Sequence, residues 1–97
     1  MVQSPENWAD LSGRIIQFDE QPDASGLVRV DLQVDEAKPV PGFANLFAWA
    51  PGQTVAVRLP QDQASGLALA AGMRLECRVQ KSGPQNVLAS GEHLHVV

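Results

Sequence analysis

The sequence predicts an all-β fold, a small antiparallel barrel of five or six strands with one short helical turn. Three segments, at residues 27–35, 54–59 and 73–80, alternate apolar and polar residues with a period of two. A strand with one buried and one solvated face produces this alternation, which is typical of antiparallel sheets. Closure into a barrel would remove the exposed edges that an open sheet of this size would have.

The 97 residues are predicted to form a single domain at residues 11–97, preceded by an arm at residues 1–10. Two smaller domains would each bury too little apolar surface to be stable without disulfides or metals. The hydrophobic content of 44% and the charged content of 19% are those of ordinary globular chains. The single cysteine, Cys77, excludes an intramolecular disulfide and favours a reducing compartment. Without a signal-peptide pattern or a long apolar run, we expect a cytoplasmic chain that does not span a membrane.

The strands are predicted in order at residues 11–19, 27–35, 54–59, 73–80, 86–90 and 94–97, with a break at residues 91–92. Turn-forming residues separate these segments. The helix is predicted at residues 61–71, with Asp62 as its cap and Gly72 at its end. The alternation places one set of apolar residues inside the barrel: Val28, Val30, Leu32, Val55, Val57, Leu75 and Val79.

The segment 43–49 is ambiguous, because it fits two periodicities. As a strand it would place Phe43, Phe47 and Trp49 on one face, whereas helical spacing would group Phe43, Leu46 and Phe47. A strand is favoured because Pro and Gly residues on both sides leave room for only a short helix. The same aromatic residues could instead be exposed and anchor a partner protein, since Trp is enriched in interface hot spots.

The predicted element order is that of an OB-like barrel, with an SH3-like barrel as the alternative closed form. Three short motifs resemble those of TOBE-type OB barrels, the transport-associated and molybdate-binding modules: L-x-G-x-I at residues 11–15, L-x-L-x-x-G-x-x-L at 67–75, and V-L-A at 87–89. The resemblance covers residues 11–90 and implies the barrel fold. Where molybdate-binding members carry Thr, Ser and Lys, this chain has Pro60, Gln63 and Gln80, so the resemblance does not carry over the oxyanion site.

The charge distribution argues against general binding to nucleic acid. The net charge is −4, and residues 1–48 contain 3 basic and 8 acidic groups. An acidic chain lacks the overall attraction to phosphate on which non-specific binding depends. A local basic strip is still predicted, because Arg58, Arg74 and Arg78 all occupy outward strand positions, and Phe47 and Trp49 could stack on bases.

The sequence lacks the residue patterns that catalysis or a bound metal would need. His93 and His95 form an H-x-H pair, but a zinc site usually needs three or four protein ligands. Cys77 falls on the apolar side of its strand, and no nucleophile motif, phosphate loop or dinucleotide fingerprint is present. We therefore expect no enzyme activity, no metal and no cofactor.

These observations predict a non-catalytic binding module whose partner is another protein or a second copy of the chain. The alternatives are a single-stranded nucleic-acid binder and an oxyanion binder of the TOBE-like kind. The candidate binding residues are Phe43, Phe47, Trp49, Arg58, Arg74 and Arg78.

Overall fold

The computed structural model describes residues 7–43, 45–81 and 87–97, although not the side chains of residues 91–93. Five strands and one helix follow each other along the chain: β1 (Ala9–Asp19), β2 (Leu27–Pro39), β3 (Thr54–Pro60), α1 (Gln61–Leu67), β4 (Arg74–Lys81) and β5 (Val87–Val96). Among the described residues, no helix is long and apolar enough to cross a membrane.

The five strands form a closed barrel in the order β1-β2-β3-β5-β4, with β4 returning to pair with β1. The prediction of a small all-β barrel is therefore confirmed, and this strand order is compatible with an OB-like barrel. The sheet is mixed rather than purely antiparallel, because β3 and β5 run parallel. A ring with an odd number of strands cannot alternate direction all the way round, so closing five strands requires at least one parallel pair.

The parallel contact between β3 and β5 is the weakest connection in the barrel. It has a single registered pair, Arg58 with Leu88. By contrast, β1 pairs with β2 along its whole length, from Ala9 to Asp19. The barrel is thus closed at this seam mainly by the packing of side chains rather than by a long ladder of hydrogen bonds.

The interior of the barrel is filled from the alternate positions that the sequence identifies. All seven predicted core residues are buried: Val28, Val30, Leu32, Val55, Val57, Leu75 and Val79. Leu11, Ile15 and Phe47 are also fully enclosed, and Cys77 lies among them. The helix contributes Ala64 to one end of this core.

The main chain of β2 lies very close to Gly13 of β1. The register between the two strands shifts between Ser12 and Gly13, and again between Ile15 and Gln17, where Ile16 is left without an opposite residue. A Cβ atom on Gly13 would overlap the carbonyl oxygen of Gln33 and lie 2.9 Å from its carbonyl carbon. Only a residue without a side chain fits at this first irregularity.

Several predictions of element type and boundary differ from the structure. Residues 43–49, apart from the undescribed 44, form turns rather than a strand, because their main-chain groups bond within the loop and not to a neighbouring strand. The helix ends at Leu67, where Ala68 takes the left-handed conformation four residues before Gly72. Asp62 lies in the first helical turn but does not cap it. The final two predicted strands are one continuous strand from residue 87, and residue 86 lies outside the described residues.

The barrel also includes part of the predicted N-terminal arm. β1 begins at Ala9, and the side chain of Asn7 is buried although it is polar. Its amide donates to the carbonyl oxygen of Lys81 at 3.0 Å and accepts from the Lys81 N–H at 2.8 Å. This side chain therefore continues the β1–β4 ladder by one step beyond the strands themselves.

Candidate functional site

The loop between β2 and β3, residues 40–53, is held in shape by its own hydrogen bonds. The N–H of Phe43 donates to Val40, and the N–H of Ala50 donates to Phe47, at 3.1 and 2.9 Å. The side chain of Asn45 accepts from the N–H of Phe47 at 2.9 Å. A local side-chain acceptor of this kind stabilises a turn at the expense of a strand.

The end of the loop is fixed to the barrel by a pair of hydrogen bonds with β2. Gly52 donates its N–H to the carbonyl of Val34 at 2.8 Å, and Val34 donates to the carbonyl of Gln53 at 2.9 Å. The loop is therefore tied to the sheet immediately before β3 begins at Thr54. Its shape is determined before any partner binds.

The structure separates the three aromatic residues that a strand would have placed on one face. Phe47 is fully buried, while Trp49 is 55% exposed and Phe43 is 39% exposed. The rings of Phe47 and Trp49 have centroids 6.4 Å apart and are tilted by 31°. Phe47 is therefore a core residue whose ring lies next to that of Trp49, and it is too buried to contact a ligand.

Phe43, Leu46 and Trp49 together form the exposed apolar part of the loop, which we call the aromatic platform. The indole N–H of Trp49 donates to the carbonyl oxygen of Leu46 at 2.8 Å. This bond fixes the ring and satisfies its single polar group, so a partner could cover the indole without leaving a buried donor unpaired.

The platform lies in an uncharged part of the chain. No Asp, Glu, Lys or Arg occurs between Lys38 and Arg58, although 18 of the 97 residues are charged. An exposed apolar surface on an uncharged segment is suited to contact with another apolar surface.

Each of the three candidate arginines is paired with a carboxylate, which reduces the positive charge that it offers to a phosphate. Arg58 lies 3.7 Å from Asp23, and Arg74 forms an ion pair with Asp35. Arg78 holds both oxygens of Asp10, at 2.8 and 3.2 Å, in the arrangement that suits a guanidinium best. The hydrogen bond to Asp10 raises the pKa of Arg78 above its usual value.

Two depressions on the barrel are lined by arginines, and they adjoin each other at Ser12 and Glu76. Arg78 lines a depression of about 240 Å³ with Lys38, Glu76 and His95. Arg74 lines a second depression of about 230 Å³ beside Glu36 and Val97. Arg58 and Trp49 line neither of them. Neither depression therefore brings the three arginines together with Trp49.

Cys77 is the group whose reactivity the fold changes most. Its side chain is almost completely buried, and this burial raises the pKa of the thiol from 9.0 to about 12, with a further contribution from the Asp10 carboxylate. A nucleophilic cysteine requires the thiolate, which this environment disfavours. Across the described residues, no three His, Cys, Asp or Glu side chains are grouped to hold a metal.

Sequence reasoning missed the carboxylates that neutralise the arginines. Asp10 and Arg78 are 68 residues apart in the chain and meet because β1 and β4 are neighbours. A sequence shows which residues point outward, but not which outward residues share a row across two strands. Only the aromatic platform was indicated by sequence signals, namely its aromatic content and the two prolines before it.

Neither a protein-family model, nor a curated protein, nor a solved structure matches the chain. The resemblance of the motifs at 11–15, 67–75 and 87–89 to TOBE-type barrels thus has no support from a family match, and what the protein does has to be inferred from its own residues.

Proposed function

We propose that this chain is a non-catalytic, OB-like binding module that binds another protein through the aromatic platform of Phe43, Leu46 and Trp49. The observation that carries the proposal is the Trp49 indole, which is 55% exposed and yet held by its hydrogen bond to Leu46. A reducing, cytoplasmic setting is part of the proposal, because Cys77 is a free, buried thiol.

The rigidity of the loop supports a role in binding. A flexible loop must lose conformational freedom when it binds, at a cost of about 0.5–1.5 kcal/mol for each side chain that is immobilised. Here Phe47, Ala50 and Gly52 already hold the main chain in place. An aromatic side chain presented in this way is the usual form of an anchor residue in a protein interface.

The chemistry of the platform favours a protein partner with an uncharged, apolar pocket. Binding to single-stranded nucleic acid would need cations beside the exposed ring to neutralise phosphates. The platform segment contains none, and Arg58, Arg74 and Arg78 already have carboxylate partners. The platform is smaller than the roughly 800 Å² that each partner contributes to a standard interface, so we expect a weak or transient complex unless neighbouring surfaces also take part.

The test compares the wild-type chain with Trp49→Ala in binding to purified partner candidates, which are first recovered by affinity capture. We expect Trp49→Ala to weaken the complex at least tenfold, which corresponds to about 1.4 kcal/mol. Val97→Ala is the control, because Val97 is also an exposed apolar residue, at 71%, on a different part of the barrel. It should leave the affinity unchanged.

Two parallel measurements address the alternatives. Sedimentation velocity over a range of concentrations would detect self-association, and its loss in Trp49→Ala would make a second copy the partner. Titration with a short single-stranded oligonucleotide tests the nucleic-acid alternative. Binding that weakens steeply with salt and disappears when Arg58, Arg74 and Arg78 are replaced would overturn the proposal. Equal capture of partners by the wild-type chain and Trp49→Ala would also overturn it.

A further inference from the structure

A cleft of about 320 Å³ lies between the end of β1 and the helix, away from the aromatic platform in the sequence. Its apolar lining comes from both sides: Phe18 and Val28 from the strands, and Ala64, Ala68 and Leu69 from the helix and the segment after it. Ser65 and Gln61 lie on its helical rim, and Glu20 lies on its strand rim. The volume is at the lower end of the range for sites that enclose small ligands or side chains.

One wall of the cleft is a strand edge without a neighbour. β4 pairs with β1 only as far as Arg14. One more step is provided by the segment before β4, since Ile15 donates to Met73 at 2.8 Å and accepts from Gly72 at 2.7 Å. Beyond Ile15, residues 17–19 pair with β2 on one side, while Ile16 has no opposite residue there. No described strand pairs with residues 16–19 on the other side.

This edge has only part of the protection that sheet edges usually have. Charged residues, prolines, bulges and covering loops normally prevent an open edge from pairing with another chain. The end of β1 has the irregularity at Ile16 and the charged residues Asp19 and Glu20. The free end of β2 has such protection, with an ion pair between Glu36 and Lys38 followed by Pro39. The end of β1 instead presents Ile16, which is 49% exposed, and Phe18, which faces the cleft.

The charges around the cleft indicate the kind of segment that would fit. Five carboxylates elsewhere on the barrel are ion-paired: Asp10, Asp23, Asp31, Asp35 and Glu36. Asp19 and Glu20, at the strand side, and Asp62, in the first turn of the helix, have no ion-pair partner among the described residues. Glu20 therefore places a carboxylate without an ion-pair partner on the rim of the cleft, and Asp19 and Asp62 are next in the chain to its lining residues Phe18 and Gln61.

We propose that the edge of β1 at residues 16–19 and the adjoining cleft bind an extended, basic peptide segment of a partner protein. The segment adds a strand to β1, places one apolar side chain in the cleft between Phe18 and Leu69, and directs lysine or arginine side chains toward Asp19 and Glu20. Strand addition of this kind derives affinity from main-chain hydrogen bonds and specificity from the pocket. The site is separate from the aromatic platform, so the two proposals can fail independently.

The test uses a synthetic peptide in which lysine and leucine alternate, titrated into the full chain and followed by ¹H–¹⁵N NMR. We expect shifts confined to residues 16–20 and 61–69, slower amide exchange along the β1 edge, and an affinity that falls with added salt. A peptide with glutamate in place of lysine should not bind, because it meets the same acidic rim. A lysine–leucine peptide with N-methylated main-chain nitrogens, which cannot form the ladder, should bind at least tenfold more weakly.

Two substitutions in the helix test whether the peptide binds in the cleft or elsewhere on the surface. Ser65→Phe fills the mouth of the cleft and should weaken binding of the lysine–leucine peptide at least tenfold. Gln63→Phe, an equally large change at an exposed helical residue that does not line the cleft, should leave it within about twofold. Trp49→Ala should have no effect. Binding that is unaffected by Ser65→Phe or by N-methylation, or that is shared by the glutamate peptide, would overturn the proposal.

Discussion

Replacing Gly13 with alanine is expected to be among the most destabilising single-methyl changes in this chain. Gly13 lies close to the main chain of β2, at the first shift in the register of the two strands. The added Cβ would overlap the Gln33 carbonyl oxygen, 2.9 Å from the carbonyl carbon and 3.0 Å from the Cα of Val34. All three atoms belong to the main chain of a paired strand, so no side-chain rotation can relieve the contact.

The expected loss of stability in Gly13→Ala follows from the fact that the main chain of β2 has to move. Overpacking a well-filled interior costs about 1–3 kcal/mol, and the upper end applies here because the strand itself must shift. A domain of this length has a total stability of roughly 5–15 kcal/mol, so a loss of about 3 kcal/mol is a large fraction of it. For domains of about 60–100 residues, each kcal/mol lowers the melting temperature by about 4–8 °C, which gives a decrease of about 12–24 °C.

The assay is thermal and urea denaturation of Gly13→Ala beside Gly66→Ala. Gly66 lies in α1, and a Cβ there would meet nothing within 4 Å. The same methyl group should therefore stabilise the chain by up to about 1 kcal/mol, since alanine is the better helix former. A Gly13→Ala variant within 1 kcal/mol of the wild type, with an unchanged dependence on urea, would refute the claim that β2 lies too close for a side chain.

Three further predictions concern other parts of the barrel. Asn7→Ala should cost about 1–3 kcal/mol in urea denaturation, because it removes two hydrogen bonds to the partly buried main chain of Lys81. Cys77 should react with thiol reagents only on unfolding. Because its pKa is raised from 9.0 to about 12, the contribution of the neutral thiol to folding stability should be fully present below about pH 9 and should fall as the pH rises toward 12. This contribution should be absent from Cys77→Ala. The pKa of Asp23 is lowered by hydrogen bonds from the N–H groups of Leu27 and Ser25, and then by the charge of Arg58. The ionised carboxylate therefore contributes to stability at neutral pH. This contribution should be lost as the pH falls below about 3.8, as NMR titration of the 23–27 turn would detect.

The interior of the barrel could be predicted from the sequence because it depends on a local pattern. Val28, Val30 and Leu32 alternate with polar residues, and a strand buries one face whatever its neighbours are. The parallel pairing of β3 with β5 could not be predicted from such a local pattern. It results from an odd number of strands in a closed ring, and the number of strands was left open between five and six.

The aromatic loop shows a second limit of sequence reasoning. Phe43, Phe47 and Trp49 have strand spacing, but Asn45 accepts a hydrogen bond from Phe47 and converts the segment into turns. The side chain of an asparagine can compete with the sheet for main-chain donors, and periodicity does not register this competition. The arginines show a third limit, since their outward positions were correct and their neutralisation depended on carboxylates from distant strands.

The seam between β3 and β5 has a consequence for how quickly the chain acquires its native structure. The hairpin of β1 and β2 and the pairing of β2 with β3 join segments that are close in sequence. The barrel, however, is complete only when β4 pairs with β1 and β5 pairs with β3. The pairing of β5 with β3 adds only one registered pair among the described residues. Contacts between distant segments are slow to form, because the loss of chain entropy precedes the gain from packing. We therefore expect the β1–β2–β3 meander to form early and the seam to close last, so that substitutions at Leu88 speed unfolding while leaving the folding rate nearly unchanged.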